Sequence, residues 1–543
     1  MSSASVRTRL RRPRRVQRLA AWIAACATGS GTSGRFVAWF AVIHVVLWSL
    51  ILGILKRNQD VHFDIAEAYA WGQQFLLGYG KHPPLSGWVA GIWFRLLPVA
   101  DWSAYALAMA VAGLGMWISW LIALRVVDRR RAFLTVVMLA IYPIFNFKGF
   151  KYNADLIQLV TMPLLVLAYL NAFERRTWQS GVWLGLAAAL ALLAKYWALT
   201  MIGAIGLAAL LHPQRMAFLR SPAPWVAIGV LLVAIAPHLW WLKQVDFLPL
   251  TYAGGVYEIS SRLQSFHLAA GYINHNIALL LLPIAFAALA LIHVPWRSSG
   301  LPWSLTNMVT QAWSRGANSG VRLSPAIQIW LIQAIAAVGP PLGGVALKIY
   351  MKTDWGIPLF FLTPLALVAI PQLRVTRIAL FRIVAVWLLA SLVVLAASPW
   401  IASRDTLRNV NAVEAYDARS ELARNLTQQW RLHFNSRWRA VAGSTRVADV
   451  MAFYSPDHPT PFAPNEPSAG LITLAEAKHS GFIGICDPTA PDHAECTAWM
   501  KINAASAEQM ILTTRRFFQG KPQPAMHWEV YIVPPSGPDA TAK

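Results

Sequence analysis

Apolar residues in this chain gather into long continuous runs. A helix needs roughly 20 apolar residues to cross a hydrocarbon core. Runs of about that length fall at 36–55, 103–124, 132–147, 154–172, 178–194, 197–211, 224–242, 274–294, 325–346, 356–372 and 378–399. The pattern predicts an α-helical multi-pass membrane protein with about eleven transmembrane helices. A shorter, proline-bounded run, LSGWVAGIWFRLLP at 85–98, reads as an interfacial helix. From about residue 400 the pattern changes. Stretches such as RWRAVAGSTRVADVMAFY and HWEVYIVPP predict a small soluble α/β domain. The expected layout is a basic tail at 1–35, a membrane domain at 36–399 with a first loop at 60–102, and the α/β domain at 400–543. No fixed-period repeat or inverted symmetry of the kind that builds many transporters is visible.

Composition agrees with the run pattern: 57% of the 543 residues are hydrophobic and only 13% charged, against about 25% charged in ordinary soluble domains. The net charge of +23 would suit a nucleic-acid binder, but its distribution excludes that partner. From residue 400 onward basic and acidic residues balance at fourteen each, and before it they stand at 33 against 10. With the amino terminus inside, 22 of the 25 arginines before residue 400 fall on the cytoplasmic side, among them Arg7 to Arg18, Arg129 to Arg131, Arg297 and Arg315. The basic start RTRLRRPRRVQR reads as a tail near anionic lipid, and no cleavable signal peptide is expected. The same topology sends eight of the ten acids and all eight lysines before residue 400 to the outer side. Cys486 and Cys496, ten apart in CDPTAPDHAEC, suit a disulfide in an oxidising compartment.

Candidate chemistry concentrates in DVHFDIAEAYAWGQQFLLGYGKHPPLSGW, residues 60–88. Asp64, Glu67 and Trp71 stand at i, i+3 and i+7, so a helix here turns two carboxylates the same way, with Tyr69 and Phe75 elsewhere. Carboxylates beside a bilayer are expensive and point to function. Pro83 and Pro84 end the segment in a cationic turn at Lys81 and His82. The plainer reading is a solvated helix anchored by Trp71 and Trp88 at the interface, which leaves the acid pair and the Lys-His pair unexplained. Further along, Lys148 and Lys151 precede Asn153 and Asp155. Asn153 suits a helix cap and Asp155 a first turn, and both also suit a ligand. Lys195 follows an apolar run, and a loop with Asp246, Tyr252 and Glu258 is long enough for a lid. KIYMKTDWGIP brings Lys348, Lys352 and Asp354. The sequence has no P-loop, no GxSxG and no HExxH, and no GxGxxG is expected to open a helix.

The first-loop pattern DIAEAYAWGQQFLLGYGKHPPLSGW resembles that of bacterial multi-spanning glycosyltransferases of the GT-C fold. These are the family 39 and aminoarabinose-transferase-like group related to protein O-mannosyltransferases. KYNADLIQL, LALLAKYWAL, PHLWWLKQVDFLPL, KTDWGIPLFFLTPLAL and VAGSTRVADVMAFYSPDHPTPF extend the similarity.

The resemblance implies the GT-C fold in a bacterial inner membrane, with a periplasmic carboxy-terminal domain. It also implies a polyprenyl-phosphate-linked sugar donor and an inverting transfer to a lipid, polymer or protein acceptor. Asp64 is then the expected base and Glu67 its rival. Many relatives carry an adjacent Asp-Glu pair, whereas Ala66 precedes Glu67 here. Lys81 and His82 are expected at the donor phosphate, with Lys148, Lys151, Lys195 and Lys352 as further phosphate ligands. Asn153, Asp155, Asp246 and Asp354 are expected at the sugar or acceptor. Some relatives use a divalent metal, for which His82 is the candidate ligand; no other cofactor is expected. Two other classes compete: a flippase for lipid-linked sugars, which needs charges through the midplane, and a noncatalytic scaffold, in which Asp64 and Glu67 are dispensable.

Overall fold

The computed structural model describes residues 15–291, 321–404, 417–462, 471–518 and 521–536. Arg7 to Arg14, Arg297 and Arg315, part of the arginine asymmetry, lie outside the described residues. Six helices are long and apolar enough to cross a membrane: Ser33–Leu55, Asp101–Val126, Pro222–Gln244, Arg262–Leu291, Leu323–Leu347 and Arg377–Arg404. A bent pair, Arg129–Ile141 with Pro143–Phe150, makes a seventh if counted as one span. Trp178–Ala194 and Ala198–Leu211 are apolar but shorter, and Gln158–Arg175 packs among them.

The run at 356–372 is not one helix. It divides into a 3-10 segment, Thr353–Leu359, and a short helix, Thr363–Val368, with Pro358 and Pro364 interrupting any longer ladder. Proline also sits inside several of the long helices, as at Pro237 and Pro283, which membrane helices tolerate when neighbours satisfy the freed carbonyls. The segment at 85–98 forms a helix, Leu85–Leu96. Gly29 to Gly34 has the GxGxxG spacing, but it joins helix Arg15–Thr28 to helix Ser33–Leu55, with no strand before it.

The expected run at 132–147 stops at Ile141, and the reason is local. Asp128 starts the helix by accepting from the backbone N–H groups of Arg130 and Arg131. Pro143 cannot continue its ladder, and the chain turns by 76° into two short 3-10 segments. Asn146 repairs the break, its amide donating to the carbonyls of Ala140 and Tyr142 at 3.0 and 3.1 Å. His44, buried in helix Ser33–Leu55, meets the carbonyl of Phe145 at 2.7 Å through Nε2, and Trp387 Nε1 donates to its Nδ1. A side chain on Gly149 would stand 2.1 Å from the Ile144 carbonyl, so only glycine lets the turn close. The result lays Lys148, Lys151 and Asn153 across the end of the helical bundle.

The carboxy-terminal part holds a five-stranded sheet in the order β2-β1-β3-β5-β4. The strands are β1 (Ala440–Ala442), β2 (Thr460–Phe462), β3 (Phe482–Cys486), β4 (Glu508–Phe518) and β5 (Lys521–Val533). β1 runs parallel to β2 and β3, while β5 is antiparallel to β3 and β4. Period-two alternation buries both faces. Ile483, Ile485, Trp528, Val530 and Ile532 join the same apolar core as the membrane helices, whereas Phe482, Cys486, Tyr531 and Val533 join a second, smaller one. Cys486 and Cys496 are disulfide-bonded across that second core.

This part is therefore docked on the bundle rather than tethered to it. Helix Thr445–Tyr454 packs on helix Phe63–Gly72, where Tyr69, Phe94 and Phe453 form a triad of edge-on rings with centroids 5.3 to 5.7 Å apart. Tyr454 donates to Asp101 and accepts from the Val61 N–H, both at 2.8 Å. Asp60 is buried and paired with Arg516 of β4, and it also accepts from the Ser420 N–H. Asp60 is thus committed to docking, apart from the chemistry of its neighbours.

Candidate active site

The first loop builds one wall of the site. Helix Phe63–Gly72 is capped by His62, whose Nδ1 accepts from the Asp64 N–H at 3.1 Å. It crosses helix Leu85–Leu96 at a contact where a side chain on Gly91 would lie 2.3 Å from the Gly72 carbonyl. That approach seats the loop tightly. Trp71 stacks on Tyr79, at 5.0 Å and nearly parallel, and Tyr79 donates to the Trp71 carbonyl. His82 packs edge-on against Trp71. Asp64, Glu67 and Trp71 share the face that looks toward the Lys81–His82 turn and the 148–155 turn, while Tyr69 points to Phe94 and Phe453.

Four ion pairs then meet at this wall. Lys81 Nζ lies 3.1 Å from Glu67 Oε1 and 3.4 Å from the Thr445 hydroxyl. Lys151 Nζ lies 3.5 Å from Asp64 Oδ2, to which Asn153 donates at 2.7 Å. Lys195, at the end of helix Trp178–Ala194, is 2.6 Å from Asp155 Oδ1. Lys148 is 3.7 Å from Asp354 Oδ1 and donates to His275 Nε2 at 3.2 Å. Asn153 also does what its position suggests for a cap: its Oδ1 accepts from the N–H groups of Asp155 and Leu156. The segment carrying Asp354 is held by Trp197, which donates to the Trp355 carbonyl, and by Asn276, which donates to the Thr353 carbonyl.

The electrostatics tie the pairs into one field. Burial alone would raise the Asp64 pKa, but His62, Lys151, the Asn153 hydrogen bond and Lys352 outweigh it, and the carboxyl is held well below the usual range. Burial depresses Lys151, yet Asp64, Asp354 and Asp155 more than compensate and its pKa is raised. Burial brings His62 down to about 4, with Asp64 opposing and Lys151, Lys352 and Lys56 assisting. His82 falls to about 3, chiefly through burial and then Lys195, against the pull of Asp155 and Asp64. Both imidazoles are neutral at physiological pH. Lys352 is exposed and, among the described residues, forms no contact ion pair, although its charge reaches Asp64 and His62. The array holds five ammonium groups against four carboxylates.

Of the residues singled out in the sequence, Asp64, Glu67, Lys81, His82, Lys148, Lys151, Asn153, Asp155, Lys195, Lys352 and Asp354 come together. Asp246 does not: it sits exposed, at φ +48°, in the turn before helix Leu248–Tyr257, and among the described residues it has no bond to the cluster. That helix nevertheless reaches the site through Tyr252, whose ring lies under Lys81. No group of three or more His, Cys, Asp and Glu is arranged to hold a metal among the described residues. Sequence reasoning missed His62, His275 and Thr445. His62 was detectable from its place one residue before the helix, and His275 as an imidazole inside an apolar run. Nothing in the sequence marked Thr445.

Residues 81–241 match the profile of a family described as dolichyl-phosphate-mannose-protein mannosyltransferase. Over 220 residues the chain is 28% identical to a lipid A galacturonosyltransferase, RgtD, of Rhizobium johnstonii, covering 38% of this chain and 43% of that protein. It is 25% identical over 222 residues to a lipopolysaccharide core galacturonosyltransferase, RgtB, of the same organism, covering 39% and 44%. These matches span less than half the length of both relatives. In structure the chain resembles ArnT from Cupriavidus metallidurans bound to undecaprenyl phosphate, with a TM-score of 0.59 at 13% identity, over 93% of this chain and 99% of that one. The apo state of the same protein matches at a TM-score of 0.55.

Proposed function

We propose that this protein, a GT-C glycosyltransferase of the ArnT-like group, moves a sugar from a polyprenyl-phosphate carrier to a hydroxyl or phosphate of a lipopolysaccharide-type lipid. The transfer would occur on the outer side of the bacterial inner membrane. The observation that carries the reading is the array of lysine–carboxylate pairs around Asp64, to which separate stretches of chain each contribute. Support for the donor and acceptor classes comes from the ArnT likeness and from the two galacturonosyltransferase relatives.

The resting array is nearly neutral, so an arriving phosphodiester competes with carboxylates for the lysines. Each lysine that turns to the donor phosphate frees a carboxylate. In the reaction the acceptor oxygen attacks the anomeric carbon from the face opposite the carrier. The carbon–oxygen bond to the phosphate breaks with its electron pair passing to the phosphate, and the acceptor proton passes to Asp64. The departing polyprenyl phosphate gains negative charge, which Lys81, Lys151 and the exposed Lys352 offset. Lys151 is the coupling element. While it faces Asp64 the carboxylate is a weak base, and once it turns to phosphate the Asp64 pKa climbs toward a useful value. Glu67 positions Lys81, which also reaches the Thr445 hydroxyl, and Asp155 and Asp354 orient hydroxyls.

The test uses membranes carrying the protein, labelled undecaprenyl-phosphate sugars that include galacturonic acid, and lipid A as acceptor. Wild type should transfer label, and Asp64→Asn should lose about 10²- to 10⁴-fold, the usual worth of general-base help. Glu67→Gln should weaken donor binding. Normal turnover by both variants would overturn the catalytic assignment. Movement of the intact donor across sealed vesicles without transfer would favour the flippase class instead.

A further inference from the structure

A second basic site lies apart from the carboxylate cluster, at the seam between the bundle and the carboxy-terminal sheet. A cavity of about 790 Å³ opens there, within the ~300–1,000 Å³ typical of ligand sites. Its apolar floor comes from Ile54, near the end of the first long helix, and from Pro399 and Ala402, near the end of the last. Above it stand four guanidinium-bearing residues, Arg57, Arg424, Arg515 and Arg516.

Two acids must be set against them. Arg516 is paired with Asp60, and Glu421 also lines the wall. Among the described residues, three arginines therefore face one carboxylate. Arg57, Arg424 and Arg515 are exposed, and none forms an ion pair among the described residues. The irregularity in the β4–β5 pairing falls between Arg515 and Phe517, so the strand is bent where it presents these side chains. Phe517, 65% exposed, adds an apolar group beside them.

We propose that this cavity binds the headgroup of a net-anionic, phosphate-bearing membrane lipid. The argument is one of level and chemistry. The floor is made by the ends of two helices built to cross a bilayer, so the cavity stands where headgroups stand. Guanidinium groups are weakly hydrated and fork toward phosphate oxygens, while Ile54, Pro399, Ala402 and Phe517 suit the first carbons of the acyl chains. The lipid wedges between Arg57, just past the end of helix Ser33–Leu55, and Arg424 and Arg515 of the sheet unit, and so fastens the docked unit to the bundle. None of these arginines belongs to the proposed catalytic array, and binding needs no sugar donor.

The test titrates the full-length protein in detergent with phosphatidylglycerol, phosphatidylcholine or inorganic phosphate, reading bound lipid by native mass spectrometry and unfolding temperature. Phosphatidylglycerol should bind and stabilise, with phosphatidylcholine much weaker and inorganic phosphate without effect. An arginine at an anionic surface contributes roughly fivefold in affinity, so Arg424→Gln with Arg515→Gln should weaken phosphatidylglycerol about thirtyfold. Arg424→Lys with Arg515→Lys, which keeps the charge, should remain within about fivefold of wild type. Equal phosphatidylglycerol affinity in the wild type and the glutamine variant would overturn the proposal. Equal binding of phosphatidylcholine would make the cavity an apolar groove, and stabilisation by inorganic phosphate alone would make it a free-anion site. Either result also refutes the lipid assignment.

Discussion

Asn153→Asp isolates the control of the Asp64 charge. The substitution is nearly isosteric and keeps the side-chain oxygen that accepts from the Asp155 and Leu156 N–H groups, so the turn stays capped. It removes the amide that donates to Asp64 Oδ2 at 2.7 Å and sets a second carboxylate in its place. A hydrogen bond to a charged group is worth about 1.5–3 kcal/mol, or roughly 1–2 pH units at 1.36 kcal/mol per unit. Repulsion between the carboxylates adds to that, while Lys151 shared between them subtracts. The net shift is upward. As the proposed base, Asp64 must be ionised to take a proton, so a higher pKa lowers the fraction of active enzyme as pH falls, and recovery comes on the alkaline side. The wild-type kcat/KM should be flat from pH 8 down to about 5 as far as Asp64 is concerned, since its pKa lies well below the usual carboxylate range. In the variant the acid limb should begin roughly 1–2 pH units higher than in the wild type, still on the acid side of that window, so the two profiles are compared down to the limb of each. Asn153→Ala loses the donor without adding charge, so its limb should move less while its thermal stability drops by about 1 kcal/mol for the lost cap. A variant profile that superimposes on wild type, or that falls by one factor at every pH, would refute the reasoning.

Other outcomes follow from the same contacts. His62→Asn keeps an acceptor at the cap and should unfold within a degree or two of wild type, whereas His62→Ala should cost about 1 kcal/mol in thermal melts. Neither histidine should add a limb between pH 5.5 and 8, because burial leaves His62 titrating at about 4 and His82 at about 3. Arg516→Leu strands the buried Asp60 carboxylate and should cost about 3 kcal/mol, and Asp60→Asn in the same chain should recover part of the loss; a full cost in both would place the effect in packing. Gly91→Ala puts a methyl group 2.3 Å from the Gly72 carbonyl and should cost about 1–3 kcal/mol, with donor affinity reduced because the helix carrying Asp64 is displaced.

Much of the wall of the candidate site could be read from the chain. The i, i+3, i+7 spacing was enough to put Asp64, Glu67 and Trp71 on one face, and the proline pair was enough to end the segment at Lys81 and His82. The membrane helices were legible as apolar runs, but their count was not. Pro143, Pro358 and Pro364 break segments whose hydropathy alone reads as continuous, because hydropathy averages over a window while a broken ladder depends on one missing N–H. The docking of the carboxy-terminal part was not legible either. Its alternating strands signal a sheet, yet they cannot show that one of its two apolar faces is covered by the membrane helices and the first loop.

The sequence by itself determined which residues are costly near a bilayer and which stretches carry them, since charge and hydropathy are local properties of the chain. Only the tertiary structure decided the pairing: Asp64 with Lys151 and Asn153, Lys81 with Glu67 and Thr445, Asp155 with Lys195, and Asp354 with Lys148, whereas Asp60 is spent on Arg516 and Asp246 stays in solvent. Those partners lie up to several hundred residues apart. Coulomb attraction sorts them only after the 76° break, the Gly72–Gly91 crossing and the docked sheet have brought their backbones within reach.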